Sequence, residues 1–270
     1  MLTKTLTRSF RNIRHPFQGL IPLFIGILLS ATAHSQQSAL AAEGLDVIPY
    51  PQTVRLTNDS YDIPKQINII TDQNADEADR FTAKLLQEEL RKRWNLDATV
   101  SHSSRPLSIK LTKQMNGQQV PDEGHLLSVG RDGVVLRAPG GAGLFYGVQT
   151  LLQLIQQKSY GAYIHGMQIR DWPDTRIRAI HYDTKHHQDK AEYVRELIKT
   201  LAGYKVNMLI WEWEDKFAYP SHPEIGAPGA FTMEEMQEFT KYARQYHIQI
   251  VPLVQGLGHY SYILKWPQYA

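Results

Sequence analysis

Three carboxylates close an apolar run in this sequence. In LIWEWEDKF (209–217), Glu212, Glu214 and Asp215 follow directly on Leu209, Ile210 and Trp211. Removing a carboxylate from water is costly unless it gains a partner. Acids at the end of a buried strand therefore suggest a task, and a hydroxyl-rich ligand such as a sugar would suit them. Two other stretches end in the same manner. IRAIHYD (177–183) finishes in His181, Tyr182 and Asp183, and IQIVPLVQGLGH (248–259) runs out into Gln255, Gly258 and His259.

Each group also has a purely structural reading. Side chains alternate along a strand, so Glu212 and Glu214 share a face and can form an ion network with Arg178 or Lys185. Trp211 and Trp213 then point the other way, as core. His259 can be a satisfied histidine in a strand-end turn. His181, Asp183, His186 and His187 together invite a metal, but their spacing fits no helix-borne ligand pair. No metal or other cofactor is expected. Nucleophile elbows, phosphate-cradling glycine loops and cysteine nucleophiles are all missing from the sequence.

The elements that must position these residues follow from periodicity. From Arg176 to Ala270 the pattern is strand (IRAIHYD), helix (191–204), strand (VNMLIWEW), helix (231–248, Thr232 as N-cap), strand (IQIVPLVQG) and a further helix or turn. Such alternation builds parallel βα units, and ligands of parallel βα folds meet the C-terminal ends of the strands. That rule gathers the three polar endings into one candidate site. Upstream, residues 44–170 read as a small α+β domain. QINIIT (66–71) is a strand, and Asn74 to Glu77 resembles a capping box with Asn74 as N-cap. Phe81, Leu85, Leu86, Leu90 and Trp94 mark a helix with one face on a sheet. LSIKL (107–111) alternates as a half-buried strand. HLLSVGRDGVVLRA is a hairpin with Asp132-Gly133 at its turn. GAGLFYGVQTLLQLIQQ (141–157) is a second amphipathic helix. DWPDTR (171–176) is the joint between the domains.

Residues 1–41 stand apart. Lys4, Arg8, Arg11 and Arg14 precede an apolar run of about fifteen residues, too short for a comfortable membrane span. Two small-residue exits follow, ending at Ala33 and Ala41. This order is that of a secretory signal peptide, and implies a secreted or periplasmic protein with no stable span after leader cleavage; an uncleaved N-terminal anchor is the alternative. The sequence has 29 basic and 27 acidic residues; removing the leader's four basic residues leaves 25 against 27, near −2. The basic balance is therefore no argument for nucleic acid. With no cysteine among 270 residues, a large core rather than disulfides must hold the fold. The 14 Tyr and 5 Trp hint at flat, amphipathic contact surfaces.

These motifs together resemble glycoside hydrolase family 20, the β-N-acetylhexosaminidases. The resemblance rests on GLFYGVQTLLQLI, the D-x-P joint, Arg178 and Asp183 of the first strand, Lys205, Asn207 and Asp215 around the second, and Pro252, Gly258 and His259 of the third. Glu212 stands where the family commonly has histidine, His186 where it has a second arginine, and Leu253, Gln255 and Leu257 also depart. W-E-W-E-D and P-L-V-Q-G-L-G-H look closer to the hexosaminidase D-like branch. The resemblance implies an α+β domain followed by the first three βα units of a (β/α)8 barrel. It implies exo-acting, substrate-assisted retaining hydrolysis of glycans with terminal N-acetylhexosamine. Arg178 would grip sugar hydroxyls, with Asp183, Glu212 and Asp215 orienting it or accepting hydroxyls, and His259 would support the acid pair. That Asp-Glu pair belongs to the fourth strand. Only Asp76-Glu77 and Asp122-Glu123 are present here, neither at a barrel-strand end. The expectation is an N-terminal fragment, inactive alone, with an exposed apolar edge at Ile250, Val251 and Leu253 that promotes aggregation. The alternatives are a non-catalytic carbohydrate-binding relative, another barrel glycosidase of α-glucuronidase or O-GlcNAcase type, or, more distantly, a metal-dependent barrel hydrolase.

Overall fold

The computed structural model describes residues 40–103, 105–256 and 258–270. The leader reading falls almost wholly on residues 1–39, outside the described residues, as does Leu257.

The first part of the chain is built on a mixed sheet of eight strands. These are β1 (Thr53–Asp62), β2 (Gln66–Thr71), β3 (Asp97–Ser101), β4 (Ser108–Thr112), β5 (His125–Gly130), β6 (Gly133–Arg137), β7 (Gln156–Lys158) and β8 (Gly161–Asp171). Their order is β1-β8-β5-β6-β4-β2-β3, with β7 on β8. β2 falls where QINIIT places it. β5 and β6 form the expected hairpin, but its two-residue loop is Arg131-Asp132, and Gly133 already pairs with Gly130. Gly133 has φ +132°, and a Cβ there would meet the Ser108 carbonyl oxygen at 2.3 Å, so β4 can lie alongside only because the residue is glycine. β4 is buried on both faces rather than half-buried, because it lies between β2 and β6 under helices.

Helix α1 (Glu77–Trp94) starts later than the sequence suggests. Its N-cap is Asp76, in a reciprocal box with Asp79. Asn74 is taken up by the preceding turn, closed by the Ala75 amide on the Asp72 carbonyl at 3.1 Å. Helix α2 (Gly141–Leu154) is buried almost all round rather than amphipathic. Both helices are two-sided: Leu86, Leu90, Leu144 and Leu151 pack into the sheet's core, while Leu85, Phe145 and Tyr146 belong to a second core.

That second core supports three parallel strands in the order β11-β10-β9: β9 (Ala179–Asp183), β10 (Met208–Glu212) and β11 (Gln249–Leu253). Helices α3 (Ala191–Gly203) and α4 (Met233–Gln245) join them, and α5 (Ser261–Leu264) follows. Thr232 caps α4 as expected, in a box with Glu235. The helix side of the sheet is aromatic. Trp211 is fully buried and touches Tyr182, Trp213, Phe231 and Phe239, in keeping with its core reading. β11 has one strand neighbour, β10, and carries Pro252, a residue sheets confine to edges.

Candidate functional site

Register places the site. Because β9, β10 and β11 run parallel with Glu212 opposite both Asp183 and Leu253, their C-terminal ends lie at one level. Side chains at Ile210, Glu212, His181 and Asp183 project from the face opposite Trp211.

Glu212 is the hub. It is wholly buried, yet three donors reach its carboxylate: the His181 ring through Nε2 at 2.8 Å on Oε2, the Gln255 amide at 2.7 Å on Oε1, and Lys185 Nζ at 3.5 Å on Oε1. Burial alone would raise its pKa. The Gln255 and His181 hydrogen bonds and the Lys185 charge outweigh burial and the repulsion of Asp183, and hold the group below the usual glutamate range. Its backbone carbonyl accepts from both the amide and the hydroxyl of Thr184 at 3.0 Å. Thr184 in turn accepts from the Trp211 indole at 3.1 Å, so the aromatic core fixes the strand end.

The other groups sit around this hub. Asp183 bonds Lys185 through both its side-chain amine at 2.7 Å and its amide at 3.0 Å. Burial would raise the Asp183 pKa, but Lys185 holds it down, and the same bond raises Lys185. Glu214 and Asp215 lie one step on, in the 3-10 turn Glu214–Lys216. Glu214 takes a left-handed φ of 42°, as His259 does at 57°, a conformation costing a non-glycine residue about 1–3 kcal/mol and concentrated at functional sites. Burial raises the Glu214 pKa and the Glu212 charge adds to it, while Lys185 and His259 oppose. Two acids two residues apart are thus pushed in opposite directions, a pattern of acid–base sites. Asp215 is bound by Lys216, which also donates to the Lys185 carbonyl at 3.2 Å.

The structure brings together Asp183, Glu212, Asp215 and Gln255 with Lys185 and Glu214, and sets His259 close enough to Glu214 to bear on its charge. It does not bring Arg178 there. Arg178 precedes β9 and so stands at the opposite end of the sheet, roughly 16 Å of extended chain from Asp183. Its guanidinium is spent on the joint: Nε donates to the Lys205 carbonyl at 2.6 Å, a terminal nitrogen to the Thr175 carbonyl at 2.9 Å, and the other pairs with Glu123 at 2.7 Å. The sugar-gripping role expected of Arg178 is corrected accordingly, because strand direction separates the two ends of β9. Glu212 is fully enclosed and its carboxylate is bonded to protein groups. The histidine cluster disperses, His181 turning to Glu212 and His187 to Asp189 at 3.1 Å, with His186 exposed. No three His, Asp or Glu side chains among the described residues are placed to share a metal. The sequence placed His181 in the strand-end cluster and Lys185 in a structural ion network, but gave neither a binding role. Their signal was present in the alternation H-x-D-x-K along the end of β9.

A mixed α+β domain, followed by parallel βα units with acids massed at the strand ends, defines a class of fold whose ligands meet the C-terminal ends of its strands. Comparison gives the family. Residues 44–172 match the family model "Glycosyl hydrolase family 20, domain 2". The β-hexosaminidase of Porphyromonas gingivalis is 25% identical over 274 residues, covering 90% of this chain and 35% of that one. Hexosaminidase D of Bos taurus is 30% identical over 90 residues, 33% of this chain and 26% of that protein. The solved GH20 β-N-acetylhexosaminidase of Streptomyces coelicolor A3(2) superposes with a TM-score of 0.72 at 28% identity, over 79% of this chain and 47% of that one. Residues 44–172 thus carry a glycosyl hydrolase family 20 domain, and the chain, similar to these hexosaminidases, spans between a quarter and a half of their length.

Proposed function

We propose that this chain supplies the sugar-recognition end of a β-N-acetylhexosaminidase-type glycoside hydrolase acting on terminal N-acetylhexosamine. In this reading the three parallel strands are the first βα units of a (β/α)8 barrel, behind an α+β domain. The observation that supports it most is the convergence of Asp183, Lys185, Glu212 and Gln255 at one strand-end mouth in a chain related to β-hexosaminidases. Asp183, Lys185, Glu214 and Asp215 would accept or donate to sugar hydroxyls, and His259 would support the proton donor. Substrate-assisted retention also needs an Asp-Glu pair. Among the described residues Asp76-Glu77 opens α1 and Asp122-Glu123 lies in the turn before β5, away from the mouth. The reading therefore assigns binding to these residues and no turnover to the 270-residue chain on its own.

Calorimetric titration with N-acetylglucosamine and with glucose, alongside a chromogenic N-acetylglucosaminide, tests this. Binding of the acetamido sugar in preference to glucose, without release of the chromophore, is expected. Failure to bind either sugar, or robust turnover, would sink it.

Export through the leader is part of the same proposal. No helix among the described residues is long and apolar enough to cross a membrane. Leu40 is wholly buried in the first core, and its carbonyl accepts from the amides of Glu43 and Leu45 at 3.0 Å. Cleavage after Ala41 would strip it out, which favours the exit after Ala33. Mass analysis of the exported chain's N-terminal peptide distinguishes the two.

A further inference from the structure

His181 lies half-exposed on the sheet face that lines the mouth, with half of its side-chain surface open, while its partner Glu212 has none. This asymmetry is that of an orienting carboxylate and a presented imidazole. Glu212 is held ionised by its surroundings, and an ionised carboxylate only accepts hydrogen bonds. In the neutral ring the 2.8 Å contact puts the proton on Nε2 and leaves Nδ1 as a free acceptor. Nothing else in the protein hydrogen-bonds the ring among the described residues.

The hub is also rigid. Its backbone is tied to Thr184 and through it to Trp211. Gln255, arriving from the segment after β11, occupies the other carboxylate oxygen at 2.7 Å, so Glu212 has no free edge on which to swing away from the ring. Asp183 and Lys185 satisfy each other at 2.7 Å beside it. The ring thus offers this mouth a nitrogen that no protein group engages, on a side chain half open to solvent.

We propose that His181 is a sugar-contacting residue, positioned by Glu212 so that Nδ1 accepts a hydrogen bond from a hydroxyl of the bound N-acetylhexosamine. This rests on the sugar reading of the site given above. Glu212, buried and touching only protein, is the positioning residue.

The test uses the full chain with N-acetylglucosamine as probe, read by calorimetry and by 15N NMR of the imidazole. Wild type should show a single Nε2–H tautomer, and the Nδ1 resonance should move on adding sugar. His181→Ala should lose about tenfold in affinity, the worth of one hydrogen bond, with its unfolding midpoint little changed. Glu212→Gln should blur the tautomer signature and lose several-fold in affinity, whereas Glu234→Gln, exposed on α4, should do neither. Unchanged affinity in His181→Ala, or an Nδ1 resonance indifferent to saturating sugar, overturns the proposal while leaving the sugar reading intact. A wild-type chain that binds no sugar overturns both. A variant that fails to fold shows itself in the unfolding midpoint, and the wild-type resonance still decides.

Discussion

Glu212 is an ionised side chain with no surface in water, and its donors explain how that is tolerated. Replacing it by alanine removes the acceptor and leaves His181, Gln255 and Lys185 facing a cavity. Uncompensating a buried pair of this kind costs about 3 kcal/mol. Glu212→Ala should lower the urea-unfolding free energy by about that amount, and Glu212→Gln, which keeps shape and one acceptor, by less. An unchanged midpoint for the alanine variant would mean that the hub is not structural. Arg178 illustrates the reverse case. Its residue type and proximity to β9 in sequence suggested sugar contact, whereas its bonds to Lys205, Thr175 and Glu123 belong to the joint. Residue identity alone does not tell which end of a strand a side chain serves.

At the level of elements, α4 is the clearest match between sequence and structure. Thr232 accepts from the Glu235 amide at 3.2 Å, and the Glu235 carboxylate accepts from the Thr232 amide at 2.8 Å. Thr232→Ala should cost about 1 kcal/mol of stability, read as a lower urea midpoint with the far-UV spectrum preserved. The expected box at Asn74 shows the limit of such motifs. Asn74 and Asp76 are both competent caps by type, and the Asp72 turn together with Lys113, 2.7 Å from the Asp76 carboxylate, selects the second. Strands β1 and β8 had no strong sequence signature. Their antiparallel pairing, interrupted by a bulge between Leu56 and Ser60, is a long-range match of segments more than a hundred residues apart, which local periodicity does not encode.

Over the whole molecule, the two sheets meet along a seam of buried and half-buried charge. Lys205 pairs with Asp171 at 2.6 Å, Arg178 with Glu123 at 2.7 Å and Lys199 with Glu89 at 2.7 Å. His125 is almost fully enclosed beside Asp171. Burial pushes its pKa well below the ordinary 6.5, and the Lys205 charge adds to this. His247, against Phe145 and Tyr146, is lowered by burial, with Glu123, Asp76 and Asp79 pulling the other way. A histidine whose folded value lies below its unfolded one takes up its proton more readily when unfolded. Stability is then whole above about 6.5 and is lost progressively as pH falls from there toward the lowered folded value. Urea midpoints measured from pH 7.5 to 5 should fall with acidity, by up to about 1.4 kcal/mol per pH unit for each histidine, and His125→Gln should flatten the slope. A midpoint that is level or rises toward pH 5 would refute this account of the seam.

From sequence alone it was possible to read an α+β segment leading into parallel βα units, to assign Trp211 to the core, and to gather Asp183, Glu212, Asp215, Gln255 and His259 toward one end. Hydrophobic period, caps and strand-end polarity are local properties, and parallel βα chains put their polar endings on the same side. Only the tertiary structure settled that Arg178 faces the other way, that α1 and α2 are shared between two cores, and that Glu212 is sealed behind His181. Burial and hydrogen-bond partnership depend on which distant segments arrive beside a residue, and on the direction from which they come.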